Sequence, residues 1–86
     1  MKLNSDFITH NTGEEQVMVA TGSTAFAGLV RNNKTAAFIV ELLKEETTLE
    51  QIVDAVFAKY DAPRDVIEQD VRKIIDSLKG IGAING

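Results

Sequence analysis

The sequence contains no cysteine and only one histidine, His10. Without cysteine the chain can have no disulfide framework, no thiolate metal site and no cysteine nucleophile. One imidazole cannot form a histidine cluster by itself. We therefore expect no metal ion and no other cofactor.

Long hydrophobic runs are also missing. A membrane-spanning helix needs about eighteen or more consecutive apolar residues, and no stretch of this sequence approaches that length. Residues 1–6 contain no apolar segment of the kind that a signal peptide requires. The sequence thus predicts a cytoplasmic protein that has no membrane partner.

Positive charge is scarce. Thirteen acidic residues stand against nine basic ones, which gives a formal net charge of −4. Proteins that bind nucleic acids gain much of their affinity by neutralising phosphates with Lys and Arg. We therefore expect no nucleic-acid partner. The hydrophobic fraction of 44% is enough for a packed core, and the length of 86 residues predicts one domain that spans residues 1–86.

The first third of the chain has the composition of short β-strands. Residues 7–10, 16–21 and 26–31 are rich in β-forming residues, and Asn, Gly and Ser lie between these runs. Short connections of this kind join antiparallel neighbours. The sequence predicts a three-stranded antiparallel meander within residues 6–31.

From residue 34 onward the apolar residues recur at helical spacing. The pattern predicts three helices at about 34–44, 48–60 and 63–80. Thr48 and Gln51 form the capping-box pattern at the start of the second helix.

The boundaries of the other two helices carry signals as well. Asn33 suits the cap of the first helix, and Pro63 suits the first position of the third. The predicted fold is thus α+β, a three-stranded antiparallel meander followed by three helices, with a winged-helix-like arrangement.

No catalytic arrangement is visible in the sequence, and we do not expect an enzyme. His10 has no identifiable partner, and the carboxylates are spread too evenly to indicate a metal site. The triplet Asp76-Ser77-Leu78 also occurs at the attachment serine of acyl carrier proteins. Here it lies inside the last predicted helix, where Ser77 suits an ordinary polar face.

The third predicted strand is the part of the sheet that could bind a partner. An outer strand exposes unpaired N–H and C=O groups, which is a hazard unless the edge is covered or used for binding. Gly28 lies inside this strand, and a glycine there marks either a bulge or the close approach of another backbone. Both interpretations stay open from the residues alone.

Several stretches, taken in order, resemble the PqqD family over residues 7–84. They are V-M-V-A-T-G at 17–22, F-x-G-L-V at 26–30, N-N-K-T-A-A at 32–37, I-x-x-L-L at 39–43, T-L-x-x-I-V at 48–53, Asp70-Val71, and L-x-x-I-G-x-I at 78–84. Each motif is mostly an apolar spacing, so the resemblance rests on their order and separation.

The resemblance implies a recognition element for ribosomally made, modified peptides, as in pyrroloquinoline quinone biosynthesis. Such a peptide chaperone would capture the leader segment of a precursor. It would present that segment to a modifying enzyme, commonly a radical S-adenosylmethionine protein. The leader would add as a strand to the free edge of the third strand, with side chains entering a groove against the last helix.

Carried onto this sequence, the peptide-binding residues would come from the third strand and the last helix. They are Phe26, Ala27, Gly28, Leu29, Val30, Arg31, Ile67, Asp70, Val71, Lys73 and Ile74. The same sheet edge could also pair with a second copy of the chain and form a homodimer. The alternative is a winged-helix DNA-binding or transcription-associated domain, although the second predicted helix offers only Lys59 as a cation.

Overall fold

The computed structural model describes residues 1–13, 15–20 and 29–85, with the side chains of Leu29 and Asn85 left out. It contains five strands and three helices in these ranges. In chain order they are β1 (Lys2–Leu3), β2 (Phe7–Asn11), β3 (Gln16–Ala20), β4 (Leu29–Asn32), α1 (Lys34–Leu42), α2 (Leu49–Lys59), α3 (Arg64–Gly80) and β5 (Ile84–Asn85). The predicted α+β fold and its order of three strands and three helices are confirmed.

The main sheet is the predicted meander. Its order is β2-β3-β4, with both neighbouring pairs antiparallel. Met18 in the central strand faces Thr9 on one side and Val30 on the other. The third strand begins at Leu29 among the described residues, and its predicted part at 26–28 lies outside them.

A second, smaller sheet was not predicted. β1 pairs antiparallel with β5, so that Leu3 lies opposite Ile84. The Leu3 amide also donates to the Leu43 carbonyl, and the Asn4 amide donates to the Ala83 carbonyl. The two ends of the described chain are therefore joined beside the core.

Each helix begins at the position that its cap predicts or one residue after it. The Asn33 side chain accepts a hydrogen bond from the Ala36 amide at 2.9 Å and caps α1. Four boundaries differ from prediction by one or two residues: α1 ends at Leu42, α2 spans Leu49–Lys59, and α3 starts at Arg64 with Pro63 as its N-cap. Pro63 therefore precedes the first helical position by one residue.

Thr48 offers a stability test at the start of α2. Its hydroxyl accepts from the Gln51 amide, while the Gln51 side chain accepts from the Thr48 amide, each at 3.2 Å. We expect Thr48→Ala to lower the free energy of unfolding by about 1 kcal/mol, measured by urea denaturation. Thr48→Ser keeps the hydroxyl and should lose much less. Equal losses in both variants would contradict the assignment.

One core lies between the inner face of the main sheet and the helices. Phe7 and Met18 bury their side chains from the sheet. The helices and the chain end contribute the other buried apolar residues, which are Ile39, Val40, Leu43, Ile52, Val53, Val56, Ile67, Val71, Ile75, Leu78, Ala83 and Ile84. Across the described residues, no helix has the length and apolar character needed to cross a membrane.

Candidate functional site

A groove lies between β4 and the C-terminal half of α3. Its volume is about 330 Å³. The residues that line it come from β4, the start of α1, α3 and the turn after α3, and they are Val30, Arg31, Asn32, Ala36, Lys73, Ile74, Ser77, Leu78 and Ile81. Most of this lining is apolar, so the groove can accept an apolar side chain.

The helical repeat of α3 creates one wall of this groove. Lys73, Ser77 and Ile81 follow one another at intervals of four residues, and Ile74 and Leu78 form the adjoining row. Leu78 is buried to 4% exposure, whereas Ile74 is only partly buried. On this wall, Leu78 is therefore held in the core, and Ile74 is the more accessible residue.

Strand β4 forms the opposite wall. Successive side chains of a strand point to opposite faces, and in β4 Asn32 is buried while Arg31 is exposed. Val30, opposite Met18, packs against the core from the inner face. Arg31 lies opposite Val17 and belongs to the outer face at the same edge.

The backbone of β4 has a free edge beside the groove. β3 occupies one side of β4, and within the described ranges no other strand pairs with the second side. Alternate N–H and C=O groups on that side are therefore available to another extended chain. An extended segment placed there would lie directly beside the apolar lining of the groove.

The charged residues on the lining are both cations. They are Arg31 and Lys73, and neither takes part in an ion pair with another described residue. Asp70 and Asp76, which precede and follow Lys73 on α3, line two other cavities. The groove is thus locally positive on a chain whose net charge is −4.

Comparison with known families decides the chain's membership. The sequence model of the family described as "Coenzyme PQQ synthesis protein D (PqqD)" matches residues 15–84. The chain belongs to the PqqD family. A curated relative, the PqqA binding protein of Methylococcus capsulatus (strain Bath), is 42% identical over 57 residues, which are 66% of this chain and 59% of the relative. The match therefore spans less than two thirds of that relative's length.

Two solved structures share the fold of this PqqD-family chain. TbiB1 in complex with the TbiA(beta) leader peptide superposes with a TM-score of 0.87 at 24% identity, covering 100% of this chain and 96% of the other. Lasso peptide synthetase B1 complexed with the leader peptide gives a TM-score of 0.80 at 22% identity, covering 99% and 96%. The agreement extends over essentially the whole chain.

Four of the predicted site residues of this PqqD-family chain meet at the groove. They are Val30 and Arg31 on β4 and Lys73 and Ile74 on α3. Leu29 belongs to the same strand, with only its backbone described. Phe26, Ala27 and Gly28 lie outside the described residues.

Three other predicted residues lie elsewhere on α3. Ile67, Asp70 and Val71 line a separate cavity of about 310 Å³ near the end of α2. Ile67 and Val71 are 4% and 0% exposed and belong to the core. Of the three, Asp70 alone is exposed, and it does not line the groove between β4 and α3.

Sequence reasoning missed five residues of the groove. These are Asn32, Ala36, Ser77, Leu78 and Ile81. The helical repeat could have found Ser77 and Ile81, since they continue the row that starts at Lys73. Asn32 carried a turn signal and gave no indication that it would be buried in a strand.

Proposed function

We propose that this chain binds the leader segment of a ribosomally made precursor peptide as an added strand on β4. The observation that carries the proposal is the free β4 edge beside the apolar groove on α3. Membership of the PqqD family supports it, as does the name of the curated relative, a PqqA binding protein. Two structures of the same fold were solved with leader peptides.

The geometry suits recognition in two parts. Main-chain hydrogen bonds to β4 would hold any extended segment with little dependence on its sequence. Alternate side chains of that segment would point toward Ile74 and Leu78, where apolar area is removed from water. The backbone would supply general affinity, and the groove would select the apolar side chain.

The proposed role is non-catalytic. The chain would hold the leader while a modifying enzyme, such as a radical S-adenosylmethionine protein, acts on the rest of the precursor. Because such precursors are made on ribosomes, we place this step in the cytoplasm. Among the described residues no group of three or more His, Cys, Asp or Glu side chains is arranged to hold a metal ion.

The binding test uses a synthetic leader probe. This probe copies the N-terminal half of a short precursor reading frame, to be identified by sequencing the genes beside the one for this chain. Titration into ¹⁵N-labelled protein should shift the amide signals of residues 29–32 and of Lys73, Ile74 and Ser77. Saturable binding whose shifts avoid both β4 and α3 would contradict the proposed site. Absence of binding would contradict the proposed function.

The two cations of the groove give a charge prediction. We expect the leader to carry acidic side chains beside its apolar anchor, because Arg31 and Lys73 flank the groove from opposite walls. Each exposed pair contributes up to about 1 kcal/mol, and reversal replaces attraction by repulsion. The double variant Arg31→Glu, Lys73→Glu should therefore bind the probe about tenfold more weakly at low salt.

Lys79→Glu is the matched control for this reversal. Lys79 is an exposed cation on the same helix, and it lines a different cavity. Its reversal should leave the affinity within about twofold, because Lys79 does not line the groove and an exposed charge that makes no direct pair contributes little. Equal losses of affinity in both variants would indicate long-range electrostatic attraction only. Unchanged affinity in both variants would contradict the prediction that the leader carries acidic side chains.

A second copy of the chain would compete for the same β4 edge. Pairing of two free edges is a general route to dimers. Light scattering with and without the leader probe measures the competition: the probe should shift any dimer toward monomer. A dimer that stays intact at saturating probe would place self-association on another surface.

A further inference from the structure

Two polar side chains are buried together where β3 meets β4. Among the described residues, Gln16 and Asn32 are the polar side chains in the buried class, at 0% and 5% exposure. They lie directly opposite each other in the sheet. The Asn32 Nδ2 group donates to Gln16 Oε1 at 2.9 Å, so one hydrogen bond joins the two amides inside the core.

The pair is also tied to the first helix. Gln16 Nε2 donates to Glu41 Oε1 on α1 at 3.1 Å, and Lys44 Nζ donates to the same oxygen at 2.9 Å. Asn33, the residue after Asn32, caps α1. The end of β4 that borders the groove is therefore held from the sheet and from the helix.

Stability alone gives little reason for such a pair. A hydrogen-bonded buried polar pair contributes about as much to the free energy of unfolding as apolar side chains of similar volume. Removing one partner leaves a buried amide group without its hydrogen bond, which is destabilising. The pair does, however, destabilise alternative pairings of the strands. Any arrangement that separates Gln16 from Asn32 leaves a buried amide group without this hydrogen bond.

The relevant alternative is a shifted β4. A shift by one residue is opposed by burial, since it would turn Val30 and Asn32 outward. A shift by two residues keeps every side chain on its face and places Val30 opposite Gln16. The apolar pattern therefore permits the two-residue shift, and the amide pair opposes it.

We propose that Gln16 and Asn32 are positioning residues that fix the register of β4 and thereby the frame in which the leader is read. This step rests on the proposed function. A two-residue shift would move β4 by about 7 Å along β3 and hence relative to α3. Val30 would leave its place opposite Met18, and the groove against Ile74 would change shape.

The test replaces the pair by apolar side chains. In Gln16→Leu, Asn32→Leu the unfolding midpoint should stay close to that of the unaltered protein. Cross-strand nuclear Overhauser effects should then show a second register, in which residue 16 faces Val30 in place of residue 32. We expect the leader probe to bind this variant about tenfold more weakly. Each single substitution removes the hydrogen bond between the two amides while one of them stays buried, and it should lower the unfolding midpoint clearly.

Two further variants distinguish an effect of the amide pair from a general effect of changing buried side chains. Gln16→Asn, Asn32→Gln exchanges the amides and should keep one register and the affinity within about threefold. Met18→Leu changes a buried neighbour in the same strand with little change in volume, and it should also keep one register. If the Leu–Leu variant keeps one register and full affinity, or fails to fold, the proposal is overturned. The register measurement needs no peptide, so it decides the role of the pair even if the proposed function fails.

Discussion

Replacing Ile74 by Asp is expected to weaken leader binding by about 100-fold or more while the fold is retained. Ile74 lines the groove from α3 and is only partly buried in the free protein. An apolar leader side chain that enters the groove would cover this residue, and full burial of such a side chain gains about 1.5–3 kcal/mol. A carboxylate at the same place loses that gain and must also be desolvated without a partner.

Val66→Asp is the matched control for this substitution. Val66 is an apolar residue of the same helix, is 45% exposed, and does not line the groove. The same change of side chain there should leave the affinity within about twofold, because no buried contact is lost. Affinity is measured by calorimetry, and circular dichroism and thermal unfolding confirm that both variants are folded. A folded Ile74→Asp variant that binds normally would place the leader on another surface.

The meander and the helices could be predicted because their patterns repeat over enough residues. Residues 16–20 alternate between buried and more exposed positions, and the stripe from Ile67 to Leu78 returns every three or four residues along α3. β1 and β5 have two residues each, so neither can show a period. They exist because Leu3 and Ile84 meet beside the core after the chain has folded.

The position of the site along α3 could not be predicted from the sequence. Ile67, Val71, Ile74 and Leu78 share one apolar stripe, so the helical period makes them equivalent. Ile67 and Ile74 are nevertheless about 10 Å apart along the helix axis, at 1.5 Å per residue. β4 runs beside the later part of the helix, which puts Ile74 at the groove and leaves Ile67 in the core. A crossing point between two distant segments has no local signal in the sequence.

The burial of Asn32 in β4 also has no local signal in the sequence. Asn is common in turns, and the sequence places Asn32 and Asn33 together just before α1. One of the two does cap the helix, while the other is buried opposite Gln16. The partner that makes burial of Asn32 favourable lies sixteen positions earlier in the chain. Only the folded sheet brings the two amides within hydrogen-bonding distance.

Strand addition on β4 makes a second large prediction, which concerns the backbone of the leader. In an added strand, alternate N–H groups point toward the neighbouring strand and the intervening ones point away. A methyl group on an inward-pointing amide removes a hydrogen bond and places a carbon atom against β4. The lost bond alone is worth about 0.5–1.5 kcal/mol, and the steric clash adds to it. We expect each such methylation to weaken binding by about tenfold or more.

The measurement is a scan in which one amide of the leader probe is N-methylated at a time. Each intervening position serves as the control for its neighbours, because its amide faces solvent and should tolerate the methyl group. Affinity should therefore alternate with a period of two residues over the part of the leader that pairs with Leu29–Asn32. A leader bound as a helix in the groove would instead be sensitive at every interior amide, since each one donates within the helix. A loss without alternation would thus reject strand addition even if Ile74→Asp confirms the groove.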